Sequence, residues 1–197
     1  SIIGHLNFAT NIIPHGNVYL GSLITLSTQV KCLNHHIGLT VEVKRDMAMW
    51  LHLLREWNGI SLFTDTELTS SELSLYTDSS STVGFGAYYG DRQEYFLTWG
   101  EFISGSTMSM AYLELYPIIA SCVLWAMYWC RKKVNFICDN EATVRIINKG
   151  RSRCPKINNL MRNLVVLSMK HNFQYNASWI ESRNNTRADL LSRGCIV

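Results

Sequence analysis

The stretch Leu75-Tyr76-Thr77-Asp78-Ser79-Ser80, followed by Val83-Gly84-Phe85-Gly86-Ala87-Tyr88-Tyr89-Gly90, constrains this chain more than any other. Tyr, Val, Thr and Phe in near-alternation favour extended backbone, and the Ser and Gly clusters break it at either end. The reading is a strand that ends in a carboxylate, a tight turn, and a second strand running back. An aspartate at a strand end says little alone. Three further acids follow in comparable settings: Glu114 in an apolar helix, Asp139 after a short apolar strand, and Asp189 in a closing helix. Four carboxylates drawn from two strands and two helices make a site for divalent cations.

The 197 residues suit one domain with an appendage, or two small ones. Hydrophobic content of 47% against 17% charge allows a sizeable buried core. No secretory signal is evident. The most lipid-like segment, Tyr112–Cys130, is interrupted by Glu114 and Pro117. Its uninterrupted apolar part is shorter than the ~20 residues of a membrane span, so a buried core helix is expected and no membrane partner. The six cysteines have neither Cys-x-x-Cys pairing nor histidines at zinc spacing. That points to a reducing, intracellular setting, cytoplasmic or nuclear.

Net charge of +3 hides an asymmetry. Residues 1–130 carry 5 Lys/Arg against 11 Asp/Glu, a balance of −6, and residues 131–197 carry 13 against 4, a balance of +9. A basic third beside an acidic cluster suits a protein that grips phosphates while its carboxylates hold metal. A solvated basic face would give the same count.

Residues 1–65 read as helical, with a second helix from Thr40 whose stripe takes in Val43, Met47, Trp50, Leu51 and Leu54. Trp57-Asn58-Gly59 closes it, and a polar stretch, 61–71, marks a boundary that leaves 66–197 as the second domain. There the pattern gives strands at about 74–78, 83–89 and 94–99, which short turns make an antiparallel meander. The glycines of Gly84-x-Gly86 mark a bulge or a close backbone approach, since no helix follows them. Pro117 is best tolerated in a first turn, which starts the next helix near Tyr112–Leu115 and leaves Glu114 at its mouth. The apolar Val134–Cys138 is then a strand parallel to the first, so Asp78 and Asp139 end adjacent strands on one edge. Helices at about 142–148, 157–170 and 187–192 and a strand at 173–180 complete the chain.

The order of these pieces resembles type 1 ribonuclease H. Tyr76-Thr77-Asp78-Ser79-Ser80, Leu113-Glu114-Leu115, Cys138-Asp139-Asn140 and Asn184-x-x-x-Ala188-Asp189-Leu190-Leu191-Ser192-Arg193 carry the resemblance, which spans about residues 72–193. It is nearest to the ribonuclease H of retroelement reverse transcriptase polyproteins, DIRS-like and Ngaro-like, in which a segment like Ile3-Gly4-His5-Leu6-Asn7-Phe8-Ala9 follows the polymerase palm. The resemblance implies an α/β ribonuclease H-like fold: a mixed five-stranded sheet, three antiparallel strands and then two more, flanked by helices. It implies that residues 1–65 are a thumb or connection segment, and that the polymerase part of the same polyprotein is a partner. The chain has no Tyr-x-Asp-Asp motif, so it should not itself polymerise.

The implied activity is hydrolysis of the RNA strand of an RNA–DNA hybrid, with two Mg²⁺ ions (Mn²⁺ as the alternative) held by Asp78, Glu114, Asp139 and Asp189. Asp78 would bridge the ions, Glu114 and Asp139 would complete the site nearer one, and Asp189 would serve the other. Such ions activate water and neutralise the leaving oxyanion, and carboxylates suit them as hard ligands. Recognition of 2′-hydroxyls falls to Ser79, Ser80, Glu114 and Asn140 by position. Phosphate contacts fall to Arg145, Lys149, Arg151, Arg153 and Lys156. Many family members carry a histidine in the loop before the last acid; here Glu181–Thr186 has none, so that either Arg183 or Asn185 substitutes for it or turnover is slow. No long basic insertion stands between Gly150 and Pro155, which shifts substrate grip towards the polymerase part. A catalytically silent nucleic-acid-binding or scaffold module on the same fold is the alternative. Each acid also has a local explanation: a turn for Asp78, a helix-end charge for Glu114 or Asp189, an N-cap for Asp139.

Overall fold

The computed structural model describes residues 1–11, 13, 15–30, 32, 34, 36–56, 73–90, 94–99 and 109–195, the side chains of residues 94, 98 and 99 excepted. The chain divides into two compact units, Ser1–Thr66 and Glu67–Val197. The expected helix stop at 57–59 and the boundary at 61–71 lie outside the described residues.

In the first unit, α1 (Ile2–Ala9), a 3-10 turn (Gly16–Leu20), α2 (Gly21–Thr28) and α3 (Val41–Glu56) gather around Leu6, Val18, Tyr19, Leu20, Leu23, Val43, Trp50 and Leu53. Thr40 opens α3 as expected, its hydroxyl accepting from the Val43 N–H at 3.3 Å. The buried stripe differs from the expected one. Val43, Asp46, Trp50 and Leu53 face inward, while Met47, Leu51 and Leu54 are exposed. Asp46 can occupy the inner face because the Ser22 hydroxyl on α2 donates to it, so the carboxylate keeps a partner out of water. The Trp50 indole N–H is likewise used, donating to the Tyr19 carbonyl at 3.3 Å.

The second unit is a mixed sheet in the order β3-β2-β1-β4-β5, flanked by helices. Its strands are β1 (Leu73–Ser79), β2 (Gly84–Tyr89), β3 (Glu94–Trp99), β4 (Lys133–Cys138) and β5 (Gln174–Trp179). The first three form the antiparallel meander, and β4 and β5 add in parallel to β1. The crossovers are α4 (Met110–Trp125), then α5 (Glu141–Lys149) with α6 (Pro155–Lys170); α7 (Thr186–Ser192) closes the chain.

Helix α4 is the core element. Leu115, Ile118 and Cys122 are fully buried, and Tyr89, Trp125, Trp129, Phe136 and Phe173 form a chain of tilted and edge-on ring contacts beside it. Met110–Tyr128 is long and apolar enough to cross a membrane, and half of it is buried within the protein. Pro117 lies mid-helix rather than in the first turn. The helix begins at Met110 and runs through the proline, which withholds one N–H from the preceding turn. Burial of the surrounding apolar side chains against the sheet outweighs that loss. Glu114 is consequently one turn inside the helix and buried, not at its mouth.

Helix α5 is capped by Asn140, whose side-chain oxygen accepts from the Thr143 N–H at 3.0 Å, and stops at Gly150 in the left-handed region, φ 69°. The N-cap role open to Asp139 thus belongs to its neighbour. Near the other end of α5, Asn148 both donates to and accepts from the Ala177 backbone, at 2.8 and 2.9 Å, satisfying the outer side of edge strand β5.

Candidate active site

The parallel register of β1 on β4 pairs Tyr76 with Ile137. Two residues further along each strand stand Asp78 and Asp139, so the ladder sets these acids side by side at the C-terminal edge. Helix α4 packs across β1 and delivers Glu114 to the same place. Carboxylate oxygens of Asp78, Glu114 and Asp139 all lie within 4.8 Å of one another.

Burial and mutual repulsion dominate the electrostatics. Glu114 is 2% exposed, and its Oε2 is buried without a hydrogen-bond partner. Burial pushes this carboxyl up to about 9, with Asp78 and Asp139 adding to the rise and the Ser79 backbone N–H opposing it. Asp78 is raised too, first by burial and then by Asp139 and Asp189, against the Ser192 hydroxyl and the Ser79 N–H. Asp139 is held differently. Its Oδ2 accepts from the Ser182 hydroxyl at 2.6 Å, and its main-chain oxygen accepts from the Trp179 indole N–H at 2.9 Å.

An orphaned carboxylate oxygen in a cluster of three acids, Asp78 and Glu114 buried and Asp139 partly so, has the donor chemistry of a site for a hard divalent cation. Such an ion would partner the Glu114 oxygen and remove the repulsion that raises Asp78 and Glu114.

Asp189 stands apart from the three. Helix α7 brings it close enough to act on Asp78, yet its Oδ1 accepts from Arg193 Nε at 2.8 Å and lies 2.8 Å from a terminal guanidinium nitrogen as well. The approach of α7 depends on Gly86, which faces Asp78 in the β1–β2 ladder; a Cβ there would meet Leu191 Cβ at 2.5 Å. The close backbone approach expected of this glycine is therefore made by α7.

The remaining residues read from the sequence fall into three groups. Ser80 is a turn former, its hydroxyl oxygen accepting from the N–H groups of Thr82 and Val83, and Asn140 spends its oxygen on the α5 cap. Ser79 and Asn185 are withdrawn from solvent, at 5% and 2% exposure. Asn185 donates to the Thr77 carbonyl at 3.0 Å, tying the start of α7 to β1. Arg145, Lys149, Arg151, Arg153, Lys156 and Arg183 are exposed; Arg145 pairs with Glu141 at 2.5 Å and Arg183 with Glu181. Sequence reasoning missed Trp179, Ser182 and Ser192. Ser182, in the polar loop just before α7, and Ser192, inside the motif around Asp189, lay where a signal could have been sought.

No family model matches the chain, and no curated protein matches it. Solved structures do. The N-terminal RNase H domain of Rv2228c from Mycobacterium tuberculosis, solved as a fusion with maltose-binding protein, superposes with a TM-score of 0.50 at 15% identity, covering 64% of this chain and all of that one. LC11 RNase H1 in complex with an RNA/DNA hybrid gives 0.50 at 16%, covering 64% of this chain and 96% of that one. The sheet order, the flanking helices and these likenesses together make residues 67–197 a ribonuclease H fold.

Proposed function

We propose that the chain is an endoribonuclease that hydrolyses the RNA strand of RNA–DNA hybrids, as the ribonuclease H part of a retroelement reverse transcriptase. The observation that carries this is the convergence of Asp78, Glu114 and Asp139 within 4.8 Å at the open edge of the parallel strands. A neighbour of the same fold was solved with an RNA/DNA hybrid, which supports the substrate class.

Asp78, Glu114 and Asp139 would hold Mg²⁺, and Asp189 would join them once released from Arg193. Bound there, a pair of divalent ions supplies an activated water and charge neutralisation at the leaving 3′ oxygen. The chain's own residues set the stage. Ser182 fixes the carboxylate plane of Asp139, leaving its other oxygen free. Burial keeps Glu114 out of competing contacts with solvent. The exposed arginines and lysines between Arg145 and Lys156 would supply phosphate contacts. The polymerase context rests on the resemblance of residues 1–65 to a thumb or connection segment, and an intracellular location follows from that context.

Two features favour the silent-module reading: Asp189 is engaged by Arg193, and the loop before it presents Arg183 instead of a histidine. The deciding experiment offers a labelled hybrid, duplex DNA and duplex RNA in Mg²⁺. Cutting confined to the RNA of the hybrid supports the enzyme. Salt-sensitive hybrid binding without cutting would establish the silent module instead, and cutting of DNA would overturn the substrate assignment.

A further inference from the structure

The hydrogen bonds that Asp139 accepts come from one short connection, which leaves β5 at Trp179 and reaches α7 at Thr186. At its start, the Trp179 indole N–H donates to the Asp139 carbonyl at 2.9 Å, and the Ile180 N–H donates to the Cys138 carbonyl at 3.1 Å. At its end, the Asn185 side chain donates to the carbonyl of Thr77, the residue before Asp78, at 3.0 Å. Between these ties runs a 3-10 turn, Ser182–Asn184, closed by the Asn185 N–H donating to the Ser182 carbonyl at 3.0 Å. The connection is therefore fastened to both strands that carry clustered acids. Its Ser182 hydroxyl donates to Asp139 Oδ2 at 2.6 Å.

A hydroxyl donating to a carboxylate fixes the plane of that group, and such outer partners of a ligand set metal affinity. Here the bond also limits what the acid can offer. Oδ2 is engaged by Ser182, and Oδ1 accepts no hydrogen bond among the described residues. Mg²⁺ demands near-ideal octahedral geometry, keeps several of its waters, and needs few carboxylate oxygens. Ca²⁺ takes more oxygens in looser geometry, often both from one carboxylate. An Asp139 held in one plane with one open oxygen suits the smaller ion; an Asp139 free to turn could present both oxygens to the larger.

We propose that Ser182 is a positioning residue that makes the acid cluster selective for Mg²⁺ over Ca²⁺, by holding Asp139 to one offered oxygen. This rests on the metal-dependent hydrolysis reading and adds a selectivity determinant to it. The rival role is a strut, in which the hydroxyl merely steadies the connection between β5 and α7.

The test titrates Mg²⁺ and Ca²⁺ separately into the full chain, free of hybrid and at constant ionic strength, by calorimetry. Wild type, Ser182→Ala and Ser182→Thr are compared. Ser182 is exposed, so the metal-free melting temperatures of the three should agree. Ser182→Ala should weaken Mg²⁺ about 10-fold and Ca²⁺ by no more than about 2-fold, moving the ratio of dissociation constants about 5-fold towards Ca²⁺. Ser182→Thr keeps the hydroxyl and should keep the wild-type ratio. Equal losses for the two ions in Ser182→Ala would establish the strut and overturn the selectivity role. So would unchanged affinities, a threonine variant that shifts as far as alanine, or a wild type that binds neither ion. The expected selectivity in a protein that cuts no hybrid would instead sink the hydrolysis reading alone, a distinct outcome.

Discussion

Gly86 faces Asp78 across the β1–β2 ladder, and a Cβ on Gly86 would lie 2.5 Å from Leu191 Cβ. The first carboxylate of the cluster is thus opposite the strand position at which α7 packs too closely for a side chain. Any side chain there must push away the helix that carries Asp189 and Ser192. Gly86→Ala should destabilise the protein by about 1–3 kcal/mol through overpacking. Its activity should fall further than the melting temperature alone explains, because Asp189 moves with the helix. Thermal melts run beside cleavage assays check both.

Glu114 gives a pH signature to the metal-free protein. Its folded value is raised to about 9 from the ordinary 4.5, so the native state binds the extra proton. Its contribution to stability is complete below about 4.5 and is lost as pH rises through about 9. Asp78 shifts in the same direction, also through burial. Between pH 5 and 9 the metal-free wild type should therefore lose stability relative to Glu114→Gln, as read by urea midpoints. Added Mg²⁺ should reverse the trend, since a cation takes the place of the proton. A flat difference between the two proteins would contradict this.

The Asn185–Thr77 bond is buried and joins the start of α7 to β1. Asn185→Ala leaves the Thr77 carbonyl without this donor and should cost about 1–3 kcal/mol. Denaturant unfolding measures it.

Arg193 holds Asp189 in an ion pair that is largely exposed, and on the proposed function it would compete with a cation there. Arg193→Ala should hardly change stability, by about 0–1 kcal/mol. It should lower the Mg²⁺ concentration needed for half-maximal activity, which a metal titration of the cleavage rate reads out.

The basic segment between α5 and α6 predicts a salt signature. Replacing Arg151 and Arg153 together by alanine should weaken hybrid binding and flatten the dependence of log K on log salt by about 0.7–0.9 per lost phosphate contact. An unchanged slope would return these residues to the solvated face.

Much of this architecture was legible in the residues, for identifiable reasons. The short turns after Asp78 and Tyr89 force a meander, and a crossover helix before Val134–Cys138 forces parallel pairing, so the adjacency of Asp78 and Asp139 follows from topology. Gly86 declared a close approach but not its partner, because α7 lies far away in sequence. Because Pro117 is costly inside a helix, local rules put Glu114 at a helix mouth; tertiary burial of Leu115, Ile118 and Cys122 overrides them. The inward turn of Asp46 was hidden for a related reason, since its partner Ser22 belongs to another helix. Ser182 and Trp179 could not be foreseen as partners of Asp139, because hydrogen bonds across roughly 40 residues leave no local pattern.

The most direct test of the central claim is the single-turnover rate of RNA-strand cutting in a strand-labelled hybrid with Mg²⁺, wild type against Asp139→Asn. The substitution keeps size and shape but removes one of three converging carboxyl groups. The rate should drop by more than the ~10–100-fold that losing an outer partner of a metal ligand costs, with hybrid binding preserved. Equal rates in the two proteins would contradict the assignment of the acid cluster as the hydrolytic centre.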